Sequence, residues 1–255
     1  MEFIDTHSHL YLDNFKNDLE EVISNCKTNN VNKVLLPNID VKSIEQIKNL
    51  VALDNNMFYA MMGLHPTSVD ENYKTTLNEI LQEENLKNIC AIGEIGLDYY
   101  WSTEYKEQQI EAFQFQIDFA KERKLPIAIH CRNAFDDILN ILEKNFDENL
   151  KGVLHCFTGN EEQAKRLIDM NFYLGLGGVL TYKNSGLDKV IEKIDLKHLI
   201  LETDAPYLSP TSFRGKRNES SYTIYVAEKL AQIKEKSLAE VASQTTLNAK
   251  QLFNI

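Results

Sequence analysis

The chain is expected to be a (β/α)8 TIM barrel of the α/β class, a single domain over residues 1–255 with an extra C-terminal helix. Three observations predict it. Short apolar runs alternate with polar stretches of helical spacing about eight times, the pattern of a parallel sheet with crossover helices. The length of 255 residues suits a fold that takes roughly 250. Several apolar runs end in histidine or acid, and a parallel barrel gathers the C-terminal ends of its strands at one rim.

Taken in order, strands are expected at 2–7, 33–37, 57–63, 89–94, 126–130, 152–156, 172–176 and 199–203. Each is a short apolar run, too brief for a buried helix. Helices are expected at about 15–29, 40–53, 70–86, 104–123, 134–146, 160–170, 185–194 and 218–235. Within 104–123, Ile110, Phe113, Ile117 and Ala120 form one apolar stripe at helical spacing, which marks core. Asn160 with Gln163, and Ser237 with Glu240, have the spacing of reciprocal N-terminal caps. The second opens the extra helix, about 238–253, expected on the outside or across the bottom of the barrel. An open, doubly wound sheet is the competing architecture. No G-x-G-x-x-G follows the first strand, which counts against it.

Composition narrows the class. With 43% apolar and 25% charged residues the chain has the make-up of a soluble globular protein. No apolar run approaches the roughly 18 residues of a membrane span. The chain enters a strand by Phe3, leaving no room for a secretory leader, so a cytoplasmic protein is expected. Cys26, Cys90, Cys131 and Cys156 form no C-x-x-C pair and read as reduced thiols. Cys131 and Cys156 each follow a histidine and are expected on the opposite side of the strand from it. The net charge of −11 excludes a protein that coats duplex DNA through a basic stripe. It leaves room for an enzyme that grips one phosphate with bound metal and a few local cations.

The chemistry lies at the strand ends. His7 and His9 are two apart in an extended segment, so their rings face the same way and can share a cation. Asp5, deeper on that face, suits a supporting role, because an inward acid needs a partner. Glu94, His130, His155 and Asp204 each close a different strand. Four imidazoles and two carboxylates exceed what one catalytic zinc takes. They suit two divalent cations bridged by a carboxylate. His65, ending the third strand, could be another ligand, but two cations already have enough, so it is assigned to gripping substrate. Glu202, two before Asp204 and on the same face, is expected behind the ligands, with direct ligation as the alternative. His198 precedes the last strand and belongs at the opposite rim.

The segments Asp5-Thr6-His7-Ser8-His9-Leu10, Gly63-Leu64-His65-Pro66 and Gly93-Glu94-Ile95-Gly96-Leu97-Asp98-Tyr99-Tyr100 stand in this order. They are followed by His130-Cys131-Arg132, His155-Cys156-Phe157-Thr158-Gly159, Glu202-Thr203-Asp204-Ala205-Pro206-Tyr207-Leu208 and Arg214-Gly215-Lys216-Arg217-Asn218-Glu219. Together they resemble the TatD family of metal-dependent deoxyribonucleases, a branch of the amidohydrolase-like barrels, across nearly the whole chain. One departure is Ser220, where the family usually has proline. Proline in a first turn aids helix initiation, so the change bears on a helix start more than on chemistry.

The resemblance implies one metal on His7, His9 and Asp204, a second on His130 and His155, and Glu94 bridging them. It implies cleavage of DNA phosphodiesters, often from the 3′ end, with Mg²⁺ or Mn²⁺ as activators. Imidazole ligands by themselves favour Zn²⁺ or Mn²⁺. On this basis Glu94 and Asp204 are the catalytic residues, with Asp204 taking the proton of the attacking water. His65, Arg132, Arg214, Lys216 and Arg217 are the substrate-binding candidates. The expected partner is a single-stranded DNA end, met by a monomer without a membrane. Tyr99, Tyr100 and Trp101 either stack an unpaired base or pack against neighbouring loops. The rival activity is hydrolysis of C–N or ester bonds on the same centre, including deacylation at the 3′ end of charged transfer RNA. A non-catalytic metal-binding scaffold is the other alternative, though it needs neither a bridging acid nor a proton acceptor.

Overall fold

The computed structural model describes residues 1–82 and 84–255. Eight parallel strands form one sheet in sequential order: β1 Phe3–Asp5, β2 Val31–Leu36, β3 Phe58–Met62, β4 Ala91–Asp98, β5 Ile127–Arg132, β6 Gly152–Leu154, β7 Phe172–Leu176 and β8 Leu199–Leu201. The helices are α1 Leu19–Thr28, α2 Val41–Leu53, α3 Tyr73–Ile80, α4 Lys106–Arg123, α5 Phe135–Asn145, α6 Glu161–Asp169, α7 Leu187–Glu192, α8 Thr223–Lys234 and α9 Leu238–Phe253.

The cylinder closes between the ends of β8 and β1. Thr6 N donates to Leu201 O at 3.0 Å, Asp204 N to His7 O at 2.8 Å and His9 N to Ala205 O at 2.7 Å. Closure therefore falls on the segments that carry three of the expected ligands. All eight expected strands are present. The main difference is β4, which runs on to Asp98, four residues past the expected end at Glu94. Its pairing with β5 continues through Gly96–His130 and Asp98–Arg132 after a register shift. Gly96 makes this possible, because it has φ 137° and a Cβ there would sit 2.1 Å from His130 O. The helix expected over 70–86 is observed as Tyr73–Ile80, and Glu83 of the expected stretch lies outside the described residues.

Both expected capping boxes form, at Asn160–Gln163 and Ser237–Glu240. A third, Asp40–Ser43, opens α2. In α4, Phe113, Ile117 and Ala120 are buried as the stripe requires, and Ile110 packs against the core from its edge. Apolar burial divides in two. The larger cluster lies between strands and helices. The smaller one, with Ile4, Leu35, Met61, Ala91, Ala128, Val153 and Ile200, plugs the cylinder toward its N-terminal end, where Ala249, Leu252 and Phe253 of α9 join it. The extra helix therefore covers the bottom. Asn248 Nδ2 donates to Leu196 O and Leu199 O, at 2.8 and 2.7 Å. His198 sits half-buried in the turn before β8, at the rim away from the other histidines.

Among the described residues, no helix is long and apolar enough to cross a membrane.

Candidate metal centre

Six side chains meet at the C-terminal mouth of the barrel, and five of them, all but His7, border a cavity of about 580 Å³. Glu94 stands in the middle, and its two oxygens face different partners. Oε2 lies 3.1 Å from His7 Nε2 and 3.6 Å from His9 Nε2. Oε1 lies 2.9 Å from both His130 Nδ1 and His155 Nε2. Asp204 Oδ1 approaches the first group, 3.8 Å from His7 Nε2 and 3.5 Å from His9 Nε2. Three subsets, His7–His155–Asp204, His7–His9–Glu94 and His65–Glu94–His130, each bring their donor atoms within 4.8 Å of one another.

Backbone bonds outside the strand ladders hold these groups in place. Asn38, fully buried just past β2, donates from its backbone to Gly93 O and accepts from Glu94 N, both at 3.0 Å. Its side chain donates to Gly63 O at 2.8 Å and accepts from Ser43 Oγ at 2.9 Å. Through Asn38 the Glu94 backbone on β4 is thereby tied to the ends of β2 and β3. Asp5 accepts from Thr203 N at 2.9 Å and Thr203 Oγ1 at 2.6 Å, stitching β1 to the turn that carries Asp204. Its role is to hold the two ends of the cylinder together.

The histidines are prepared differently. Tyr11 donates its hydroxyl proton to Pro37 O at 2.6 Å, so its oxygen receives His9 Nδ1–H at 2.8 Å. That leaves the His9 Nε2 lone pair turned toward Glu94 and Asp204, as a ligand requires. At His65 the order is reversed. Its Nδ1 accepts from Thr67 N at 3.1 Å and faces Thr67 Oγ1 at 2.7 Å. The proton therefore resides on Nε2, which points at Glu94 Oε1 from 3.4 Å. His9 is set to accept at the centre and His65 to donate.

The electrostatics suit a cation. Burial opposes charge on Glu94, yet the rings of His155, His7 and His65 hold its carboxyl well below the usual range. Asp204 is likewise held low against burial by its bond to His9 and the nearby rings. Burial, together with His155, lowers His7. His155 is carried well above the histidine range, against burial, by Glu94 and Glu202. A raised His155 beside two lowered carboxylates makes a site whose proton a divalent cation would replace. His7 Nδ1, His155 Nδ1 and Glu202 Oε2 are buried without a hydrogen-bond partner, which is costly in a closed interior. The donor set that faces Glu94 fits divalent cations, whereas the orphaned ring atoms lie on the edges turned away from it.

Glu202 lies behind His155, with Oε1 3.5 Å from its Nδ1 and accepting from Cys156 N at 2.5 Å. Gly175 makes room for it, since a Cβ there would come within 2.3 Å of Glu202 Oε2. The expectation for the thiols holds at Cys131, which lies within β5 and packs against the core between strands and helices. It needs correction at Cys156, which borders the mouth cavity. β6 ends at Leu154, and Cys156 takes a left-handed φ of 44°, so strand alternation does not reach it.

The substrate-binding candidates separate. His65 and Arg132 border the cavity. The Arg132 guanidinium lies 3.7 Å from the Tyr100 ring centroid and 5.3 Å from that of Trp101. Arg214, Lys216 and Arg217 do not line it. Arg214 stacks on Tyr182 at 4.9 Å, and Lys216 is exposed on the loop. Arg217 is a correction: both terminal nitrogens bond Asp18, at 2.8 and 2.6 Å, with Asn14 O beside them. Its guanidinium is committed to tying this loop to the start of α1. Tyr99 also packs, its hydroxyl on Asp137 at 2.8 Å. Tyr100 and Trp101 stand exposed at 54% and 69%.

Tyr11, Asn38 and Asp98 were not assigned roles from sequence. Asp98 Oδ2 lies 2.9 Å from His130 Nε2, so His130 is held between two acids. Its even spacing from Glu94 was the available signal, hidden by the early expected end of β4.

A parallel barrel with clustered imidazoles and carboxylates at its mouth defines a metal-dependent hydrolase of the amidohydrolase-like type. Residues 4–254 match the family described as TatD related DNase, and the chain belongs to that family. It is 42% identical over 252 residues to the metal-dependent hydrolase YabD of Bacillus subtilis, covering 98% of each chain. It is 33% identical over 260 residues to the metal-dependent hydrolase YcfH of Escherichia coli K12, covering 100% of this chain and 97% of the other. The crystal structure of YJJV, a TatD homologue from Escherichia coli K12, superposes with a TM-score of 0.92 at 29% identity, covering 99% of this chain and 98% of the other.

Proposed function

We propose that the chain is a two-metal deoxyribonuclease that hydrolyses phosphodiester bonds of DNA, working inward from the 3′ end of single strands. The observation that carries this proposal is the division of Glu94, one oxygen toward His7 and His9 and the other toward His130 and His155. His7, His9 and Asp204 would hold one cation, His130 and His155 the other, and Glu94 would span them. When bound, the pair supplies a polarised phosphoryl oxygen and a water acidic enough to ionise near neutral pH. Mn²⁺ or Mg²⁺ are the expected activators, and Zn²⁺ also suits the imidazole-rich set.

The chain's own residues do the rest. Asp204 is ionised and its side chain reaches the cavity with 14% exposure, so it can take the water's proton. His65 presents Nε2–H to the cavity and donates to a phosphate oxygen as charge grows there. Arg132 adds a fixed positive charge at the rim. Tyr100 and Trp101 offer exposed faces for an unpaired base. A cavity of about 580 Å³, with few local cations on an acidic chain, suits one strand end better than a duplex. The proposed setting is a cytoplasmic monomer.

The test is incubation of 5′-labelled single-stranded DNA with protein loaded with Mn²⁺ or Mg²⁺, with and without chelator. Progressive shortening that chelator stops is the expected result. Intact DNA with a loaded protein overturns the nuclease proposal and turns the same centre toward amide or ester substrates, including aminoacylated transfer RNA.

A further inference from the structure

Asp98 lies outside the proposed donor set, yet it is buried to 1% exposure in the mouth. Its two oxygens have separate partners. Oδ2 meets His130 Nε2 at 2.9 Å. Oδ1 accepts from Tyr100 N at 2.9 Å and Trp101 N at 3.3 Å, closing the turn that presents the two exposed aromatics. The backbone of Asp98 is itself clamped. Its N–H donates to Gln109 Oε1 at 2.9 Å, and its carbonyl accepts from Gln109 Nε2 at 3.2 Å, with Gln109 buried on α4. The carboxylate is therefore a rigid two-armed bracket. One arm fixes the His130 ring so that Nδ1 faces Glu94, and the other fixes the Tyr100–Trp101 pair, whose rings meet edge to face at 5.0 Å beneath the Arg132 guanidinium.

We propose that Asp98 is a positioning residue that couples the orientation of the metal-binding His130 to the aromatic rim platform built on Tyr100 and Trp101. The coupling rests on the metal-binding role proposed for His130. Because both arms belong to one planar carboxylate, a rotation that loosens the ring also loosens the turn. A carboxylate on the far nitrogen of a ligating imidazole sets its tautomer and basicity, and its loss commonly weakens metal binding by about 10- to 100-fold.

Two substitutions separate the arms. Asp98→Asn keeps an oxygen for the Tyr100 and Trp101 amides but puts an NH₂ group where His130 Nε2–H needs an acceptor. Asp98→Ala removes both. The probes are calorimetric titration of chelator-stripped protein with Mn²⁺ alone, and acrylamide quenching of Trp101, the sole tryptophan. The expected result for Asp98→Asn is a loss of about 10- to 100-fold in Mn²⁺ affinity at one site, with Trp101 quenching as in the wild type. For Asp98→Ala the affinity falls similarly, the Trp101 emission moves to the red and quenching rises. Asp98→Asn that binds Mn²⁺ like the wild type overturns the proposal, and so does Asp98→Ala with unaltered Trp101. A purely structural role would lower the melting temperature of both variants while leaving the affinity of the folded protein alone. The near-isosteric Asp98→Asn keeps the test decisive if Asp98→Ala does not fold. A wild-type chain that takes up no Mn²⁺ removes the metal-binding role and this coupling together, whereas equal uptake by wild type and Asp98→Asn removes only the coupling.

Discussion

At the lower end of the cylinder Ile4, Leu35, Met61, Ala91 and Val153 meet Leu252 and Phe253 of α9, apolar against apolar. At the upper end Glu94, Asp98, Glu202 and the rings of His7, His9 and His155 are buried to a similar degree, with three polar atoms left without partners. The same strands build both ends, so their difference comes from which side chains each strand turns inward along its length. The lower layer removes hydrocarbon from water, at about 25 cal/mol per Å². The upper layer holds ionisable groups at close range in a largely buried site, where they repel or attract strongly. Stability is concentrated below and chemistry above, a division familiar in barrels of this kind.

The contrast can be broken from either end. Glu94→Ala should have the largest effect: metal-dependent hydrolysis falls by about a thousandfold or more, since the pair of cations supplies several kcal/mol of transition-state stabilisation. Circular dichroism should still show a folded barrel. Retained activity in a labelled-DNA assay would remove Glu94 from the centre of the mechanism.

Phe253→Ala attacks the other end. It should cost about 3–5 kcal/mol in denaturant unfolding, while the folded protein keeps its turnover, because α9 lies a full strand length from the mouth. Lost turnover without lost stability would contradict the division.

Asp5 sharpens the boundary between the layers. Burial, against its bonds to Ser220 and Thr203, raises its carboxyl from 3.8 to about 7. The folded state therefore binds more protons than the unfolded one between these values. Wild-type stability contributed by this group should decline as pH rises from about 4 to about 7 and then level off. In chelator-treated protein Asp5→Asn should flatten that part of the profile, an effect of at most a few kcal/mol read by thermal melts. An unchanged slope would assign the pH dependence to other groups.

The smallest effect is expected at the rim. Trp101→Ala should weaken binding of single-stranded DNA by about 1–3 kcal/mol, read by fluorescence anisotropy of a labelled strand, without altering Mn²⁺ binding. Unchanged strand affinity would leave the exposed indole without a role in stacking.

Much of the upper layer was legible in the sequence because ligands sit where apolar runs stop. His7, His130, His155 and Asp204 all follow that rule, and the barrel topology explains why residues so far apart in the chain converge. The lower layer was legible only as apolar content, since nothing in Leu252 or Phe253 says which face they cover. What escaped was the support around the ligands. Tyr11 reads as one more apolar residue until its hydroxyl is seen to set the His9 tautomer. Asn38 does its work through its backbone as well as its side chain. Asp98 was hidden because β4 continues past Glu94, carried by Gly96 against the His130 carbonyl. Arg217 misled for the opposite reason. A basic loop suggests phosphate, and the acid that neutralises it, Asp18, is 199 residues away.

The most direct measurement is an anomalous difference map from crystals of the chain soaked in Mn²⁺. Two peaks flanking the Glu94 carboxylate are expected, one beside His7, His9 and Asp204 and the other beside His130 and His155. No peak at the mouth, or manganese only at surface carboxylates, would contradict a metal centre built on Glu94.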